Sequence, residues 1–216
     1  MNLSDRLLMN ARKPKGFLGS VMIKKMNIGH LKMTLWALEK LKIKNGATIL
    51  DVGCGGGKAI HLMSQVAHNG RVFGIDYSEK SVQLAARENA ENIKHGKVKI
   101  SKASVSSLPF PDASFDNVTS FESYYFWPDL KNDMREILRV LKPGGLLMIV
   151  AEMYKNENFD EHNKYYVKKL NMNYMSKDEF IRLFESAGYV NTGTYEDVEK
   201  GWICIVGAKP QAESNT

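Results

Sequence analysis

Cysteine is scarce in this chain: Cys54 and Cys204 are the two among 216 residues. That is too few for a disulfide framework, and both read as thiols in a reducing compartment. Long apolar runs are also missing. No segment approaches the roughly 20 residues a membrane helix needs. The opening MNLSDRLLMNARKPKGF has no apolar stretch followed by a small-residue cleavage site. The expected location is cytoplasmic, with no membrane partner. The five histidines form no H-x-x-x-H pair and none lies near a C-x-x-C, so no metal site is expected. A dense basic patch is absent as well. The net charge of +6 is mostly lysine and spread along the chain, with small clusters at Lys24-Lys25 and Lys168-Lys169. A nucleic-acid groove wants arginine and interleaved aromatics, so no nucleic-acid partner is expected. Solvated helix faces account for such lysines, and an anionic small substrate would also suit them.

What the sequence does contain is an ordinary globular composition, 44% hydrophobic and 25% charged. It has no internal repeat, and its short polar tail follows Lys209. The part up to about Asn27 reads as basic and irregular, interrupted by Pro14, Gly16 and Gly19. Leu31, Leu35, Leu38 and Leu41 then fall on one helical face, which should stop before the turn signal Asn45-Gly46. From there strands and helices alternate. Strands are expected at 47–52, 71–75, 98–101, 115–121 and 146–151. Helices are expected at 58–67, from the cap Ser78 to about Asn92, and from the cap Asp129 to Leu141, where Pro143-Gly144-Gly145 should break the chain. Ser176-Lys-Asp-Glu179 is a capping box for a helix that Gly188 stops. Last come strands near 190–198 and 202–208. Only Glu199-Lys200-Gly201 joins them, too short for a parallel crossover, so they should pair antiparallel. The fold class is therefore α/β, a Rossmann-like, doubly wound, mostly parallel seven-stranded sheet with an antiparallel C-terminal strand. The expected division is an N-terminal helical lid segment at 1–45, a cofactor-binding domain at 46–209 and a disordered tail at 210–216.

The most informative segment is Ile49-Leu-Asp-Val-Gly-Cys-Gly-Gly-Gly57, a buried strand running through four glycines into a helix. Glycines let a ligand approach the backbone, and the free amides of a helix start favour carboxylate or phosphate. A phosphate loop fails at Val52 and Ala59, which replace its first glycine and its hydroxyl. A dinucleotide fingerprint fits Gly53 and Gly55 but meets Lys58 at its third position. That weakens the dinucleotide reading without excluding it, and S-adenosylmethionine is the third class. It needs a loop for its amino-acid end, an acid near the ammonium or sulfonium, and an acid for the ribose. Asp51 at the strand tip can serve the amino-acid end or simply cap the loop amides. Asp76, ending the second strand, stands where ribose hydroxyls are gripped, in NAD as in S-adenosylmethionine.

These residues resemble the class I S-adenosylmethionine-dependent methyltransferases, in particular the methyltransferase type 11 group that includes the ubiquinone/menaquinone C-methyltransferases. The resemblance runs from about Ile49 to Leu147, through ILDVGCGGG, VFGIDYSEKSV, SLPFPDASFDNV and MREILRVLKPGG. It implies that backbone atoms of Gly53, Cys54 and Gly55 line the amino-acid end, that Asp76 holds the ribose, and that Tyr77 packs beside the adenine. It places Ser104 and Val105 at the adenine edge. The family commonly has an acid where Ser104 stands, so that contact is weakened to one hydrogen bond.

Phe121 and Glu122 leave the fourth strand on the ligand side of the sheet. The aromatic run Phe121-Glu-Ser-Tyr-Tyr-Phe-Trp127 reads as core beneath a loop or as a wall for the sulfonium. Methyl transfer needs alignment, water exclusion and sometimes a base. The candidate bases are Glu122, placed by strand geometry, and His30, in a segment that could close as a lid or simply end a helix. Amino-group methylases of bases commonly carry Asn/Asp-Pro-Pro-Tyr/Phe after the fourth strand, where this chain has Phe-Glu-Ser-Tyr. No Pro-Cys nucleophile occurs either. A small-molecule acceptor is expected. An NAD(P)-dependent oxidoreductase and a non-catalytic cofactor-binding subunit stay open as alternatives.

Overall fold

The computed structural model describes Pro14 and residues 16–212. Expectations about the first 13 residues and the last four of the tail lie outside the described residues. Seven strands build the sheet: β1 (Thr48–Val52), β2 (Arg71–Asp76), β3 (Val98–Lys102), β4 (Phe115–Phe121), β5 (Leu141–Ala151), β6 (Val190–Asp197) and β7 (Trp202–Ala208). Their order is β3-β2-β1-β4-β5-β7-β6, with β1 to β5 parallel and β7 antiparallel to both β5 and β6. The order reverses between β1 and β4, and such a switch point opens a crevice at the carboxyl ends of the strands.

Among the described residues eight helices accompany the sheet: α1 (Gly16–Gly29), α2 (Leu31–Leu38), α3 (Lys58–Val66), α4 (Glu79–Glu88), α5 (Ala90–Lys94), α6 (Leu130–Val140), α7 (Asp160–Leu170) and α8 (Lys177–Ala187). A 3₁₀ turn spans Tyr124–Phe126. The caps expected at Ser78, Asp129 and Ser176 each accept a backbone N–H, and Ser176 and Glu179 form the full capping box. Leu50, Val118, Leu147 and Ile149 are buried in one layer with Met134, Ile137, Phe180 and Phe184 from α6 and α8. Ile49, Ile60, Met63, Val72 and Ala85 fill the other face.

Four readings change. Residues 16–27, expected to be irregular, lie in helix α1. Its glycines lie at or near the start and end of the helix, where they interrupt little. The inward face of α2 is Met33, Thr34 and Ala37, continued by Leu41, while Leu35 is exposed. Met33, Ala37 and Leu41 meet Met148, Val150 and Cys204, so α2 shares the sheet's core. The helix expected from Ser78 to Asn92 breaks at Asn89, whose side-chain amide donates to the carbonyls of Gly57 and Ala85, at 3.0 Å each. The chain passes from α6 directly into β5 at Leu141. Pro143-Gly144-Gly145 then forms a bulge, and the register with β4 jumps from Phe115↔Leu141 to Asn117↔Leu146.

Helix α7 had no sequence signal, because only Asn163 and Leu170 are buried along it. Of the described residues, no helix is long and apolar enough to cross a membrane.

Candidate active site

A cavity of about 340 Å³ opens at the carboxyl ends of β1, β2 and β4, roofed by α1 and the start of α2. That volume lies in the range of ordinary small-molecule sites, about 300–1,000 Å³. All eleven site residues chosen from the sequence line it: His30, Asp51, Gly53, Cys54, Gly55, Asp76, Tyr77, Ser104, Val105, Phe121 and Glu122.

At one end lies the glycine bend. The N–H groups of Gly53 and Cys54 donate to the Ile75 carbonyl at 2.8 and 2.9 Å, which ties the bend to β2. Gly53 has φ +73°, and a Cβ there would collide with the Ser123 side chain. Gly55 has φ +51° and open space where its Cβ would stand, so its backbone faces the cavity bare. Gly56 lies beneath α1, and a Cβ on it would sit 2.6 Å from both the Asn27 amide oxygen and Ile23.

Two acids flank the bend. Asp51 is buried and accepts the Thr119 hydroxyl at 2.7 Å. Burial pushes its carboxyl up to about 7 against that hydrogen bond, and the neighbouring Asp76 charge adds to the rise. Asp76 accepts N–H bonds from Gly55 at 3.0 Å and Ser78 at 2.8 Å. Burial still holds its pKa above the usual carboxylate value. Neither acid has a cationic partner among the described residues. Lys58 lines this end but pairs with Glu88 at 3.1 Å. Burial also raises the Cys54 thiol well above its ordinary value, so it is not a nucleophile at neutral pH.

The loop after β3 is less polar. Val105 is buried, and the exposed Ser104 already accepts the Ser106 N–H at 3.3 Å. This loop is held by α6. Glu136 accepts the Leu108 N–H at 2.8 Å, and Arg139 donates to the carbonyls of Phe110 and Leu108 and to Asp112. The SLPFPDASF and MREILR segments are thus two halves of one clamp.

At the other end stand His30, Glu122 and Glu152, their ligand-type atoms all within 4.8 Å of one another. No metal-ligand spacing exists in the sequence, yet the fold gathers this one group of three such donors among the described residues. Glu122 adopts φ +55°, a strained conformation for a residue with a side chain. Its Oε1 accepts the Tyr125 hydroxyl at 2.9 Å and the Glu152 N–H at 2.7 Å. Burial pushes Glu122 up to about 7, opposed by the His30 charge and aided by Glu152. His30 Nε2 lies 3.4 Å from Glu152 Oε1. Burial disfavours the imidazolium, but the Glu152 and Glu122 carboxylates prevail and raise its pKa. Phe126, Trp127 and Pro128 complete the wall.

Sequence reasoning missed Glu152, Asn27 and Ser123. Glu152 carried a usable signal, as the acid directly after β5, just as Glu122 directly follows β4. Asn27 and Ser123 had none, because Asn27 matters through its fit against Gly56, and Ser123 through its fit against Gly53 and its hydroxyl's bond to the Val52 carbonyl at 2.7 Å.

The switch-point cavity, bare glycine bend and unpaired buried acids define an α/β domain that binds a cationic or hydroxyl-bearing cofactor at its strand tips. Residues 43–188 match the model of the methyltransferase domain family, and the chain belongs to that family. It is 39% identical over 111 residues to the O-methyltransferase rstn1 of Aspergillus nomiae, covering 51% of this chain and 49% of that protein. It is 33% identical over 128 residues to the demethylmenaquinone methyltransferase of Listeria welshimeri, covering 59% and 54%. The chain thus spans about half the length of these relatives. Among solved structures, a SAM-dependent methyltransferase from Aquifex aeolicus superposes with TM-score 0.72 at 23% identity, over 87% of this chain and 96% of that one. That likeness shows the fold.

Proposed function

We propose that this chain transfers a methyl group from S-adenosylmethionine to a small-molecule acceptor by in-line displacement. The observation that carries the reading is one cavity with two chemically different ends. A bare glycine bend lies between two buried acids lacking cations, and a His/Glu cluster stands opposite. The cofactor fits the first end. Its ammonium or sulfonium would supply the positive charge that buried Asp51 lacks. Its ribose hydroxyls would use the remaining acceptor capacity of Asp76, and its carboxylate would take a bend amide left over from the bonds to Ile75, Asp76 and Cys54. Tyr77, Ser104 and Val105 would border the adenine, and Phe121 would present an aromatic face to the sulfonium.

When bound, the cofactor supplies a methyl group already activated on sulfur. The residues of the chain align the acceptor, exclude water and remove a proton where one must leave. His30 and Glu122 are placed for that last role. Helix α1, seated on Gly56 through Asn27, serves as the lid. The relatives' names, an O-methyltransferase and a demethylmenaquinone methyltransferase, support a small acceptor. The free, buried thiols of Cys54 and Cys204 support a reducing, cytoplasmic setting. The family match does not favour the nicotinamide alternative. Thermal denaturation with S-adenosylhomocysteine or NAD tests the reading. The first should raise the melting temperature and the second should not, because only a ligand of the native state stabilises it. Stabilisation by NAD alone would overturn the proposal.

A further inference from the structure

Glu152 has no part in the scheme so far, yet the fold spends a strand end on it. It follows β5 directly, as Glu122 follows β4, and the two strands pair in parallel through Phe121↔Val150. Its N–H is fixed on Glu122 Oε1 at 2.7 Å, and its carboxylate stands 3.4 Å from His30 Nε2. From this geometry we infer that Glu152 is a positioning residue that holds the His30 imidazole as proton acceptor for an uncharged hydroxyl acceptor, a phenol or enol. The inference rests on the methyl-transfer reading above.

Glu122 is less suited to be the base. Its Oε1 is committed to two donors, and burial favours its neutral form. The histidine differs. A carboxylate beside Nε2 selects the tautomer with the proton on that nitrogen and leaves Nδ1 with its lone pair. The charged and titratable groups facing the ring are Glu152 from β5 and Glu122 from β4, with Tyr125 behind Glu122. On the ring's own helices Lys24, Lys25 and Lys32 are exposed. Asp51 and Asp76 belong to the cofactor end of the same cavity.

The charge balance selects the acceptor. The Glu122 carboxyl and the His30 imidazole line this end, with the Glu152 carboxylate beside the imidazole, and among the described lining residues the one cationic chain, Lys58, is at the glycine bend and paired with Glu88. An anionic acceptor would find no counter-charge. An ammonium must lose its proton before it has a lone pair to offer, and two carboxylates oppose that loss. An uncharged hydroxyl on an apolar body matches both the cluster and the walls of Phe126 and Trp127. In the step, the hydroxyl proton passes to His30 Nδ1 and the oxygen pair forms the new bond to carbon. The carbon–sulfur bond breaks with its pair staying on sulfur. The products are a methyl ether, S-adenosylhomocysteine and an imidazolium paired with Glu152, which gives its proton to water.

Nuclear magnetic resonance titration of the His30 ring in the full chain saturated with S-adenosylhomocysteine tests the inference. The wild-type pKa should lie above the ordinary histidine value, and Glu152→Gln should lower it by about one unit. An unmoved titration overturns the proposal. Should Glu152→Gln fail to take up S-adenosylhomocysteine, the wild-type curve decides alone, and a pKa at or below the ordinary value overturns it. In the same complex, naphthol should bind about tenfold more tightly than naphthoate and naphthylmethylamine, the separation a modest charge mismatch produces. Equal or reversed affinities, or no binding by any of the three at millimolar concentration, also overturn it. Absence of S-adenosylhomocysteine binding would sink the methyl-transfer reading itself. Binding with an unmoved His30 titration would sink only this inference.

Discussion

The two ends of the cavity are built on opposite plans. The cofactor end is mostly backbone. Glycines at positive φ, strand-tip acids and loop amides come from residues 51–57 and 74–78, close together in the chain. The His/Glu end, proposed for the acceptor, is all side chain. His30, Glu122 and Glu152 come from three distant segments and meet only when α1, β4 and β5 are assembled. A ligand that stays the same can be held by backbone geometry, which few substitutions alter. A ligand that varies among relatives is held by side chains on loops and helix ends, where exchange is cheap.

Gly53→Ala should break the contrast most severely, because it adds a Cβ at φ +73° against Ser123. Affinity for S-adenosylhomocysteine should fall about 100-fold and the melting temperature with it, read by calorimetry and thermal denaturation. Glu122→Gln should do the reverse. Turnover should fall by about tenfold, because Glu122 acts on the His30 base without taking the proton itself, while S-adenosylhomocysteine affinity changes by less than about threefold. Equal losses in both would make Glu122 structural.

A smaller effect follows from pH. Asp51 and Glu122 titrate near 7 in the folded chain, above their ordinary values of 3.8 and 4.5. Between those values the folded state binds more protons than the unfolded, so the free protein should lose stability as pH rises through that window and level off above it. Asp51→Asn and Glu122→Gln should each flatten the slope of melting temperature against pH. A cationic cofactor beside Asp51 should favour its ionised form, so affinity should rise with pH over the same range. Lys58→Ala should matter least. Its half-exposed pair with Glu88 contributes under about 1 kcal/mol, and S-adenosylhomocysteine affinity should stay within about threefold.

The same contrast explains what the sequence made legible. The strands around Ile49–Asp51 and Phe115–Phe121 were readable from apolar runs bounded by glycine and turn signals, and the antiparallel pairing of β6 with β7 from a three-residue connection. The cofactor end was readable because its parts are contiguous and glycine-rich. Helix α1 was not, since Gly16 and Gly19 read as breakers although they sit in its first turn. Nor was the inward face of α2, where Met33 and Ala37 bury themselves while the more apolar-looking Leu35 stays exposed. Burial there is set by the sheet beneath, not by the hydrophobicity of the helix. Glu152 could be seen as a strand-end acid, but its meeting with His30 depends on the path of α1 over the cavity.

Calorimetric titration of S-adenosylhomocysteine into the wild-type chain and Asp76→Ala, with melting temperatures to show that both are folded, tests the central claim most directly. Two charge-assisted hydrogen bonds to the ribose predict saturable binding to the wild type and a loss of about 100-fold in the folded variant. No heat with the wild type, or equal affinity in the two proteins, would contradict the account.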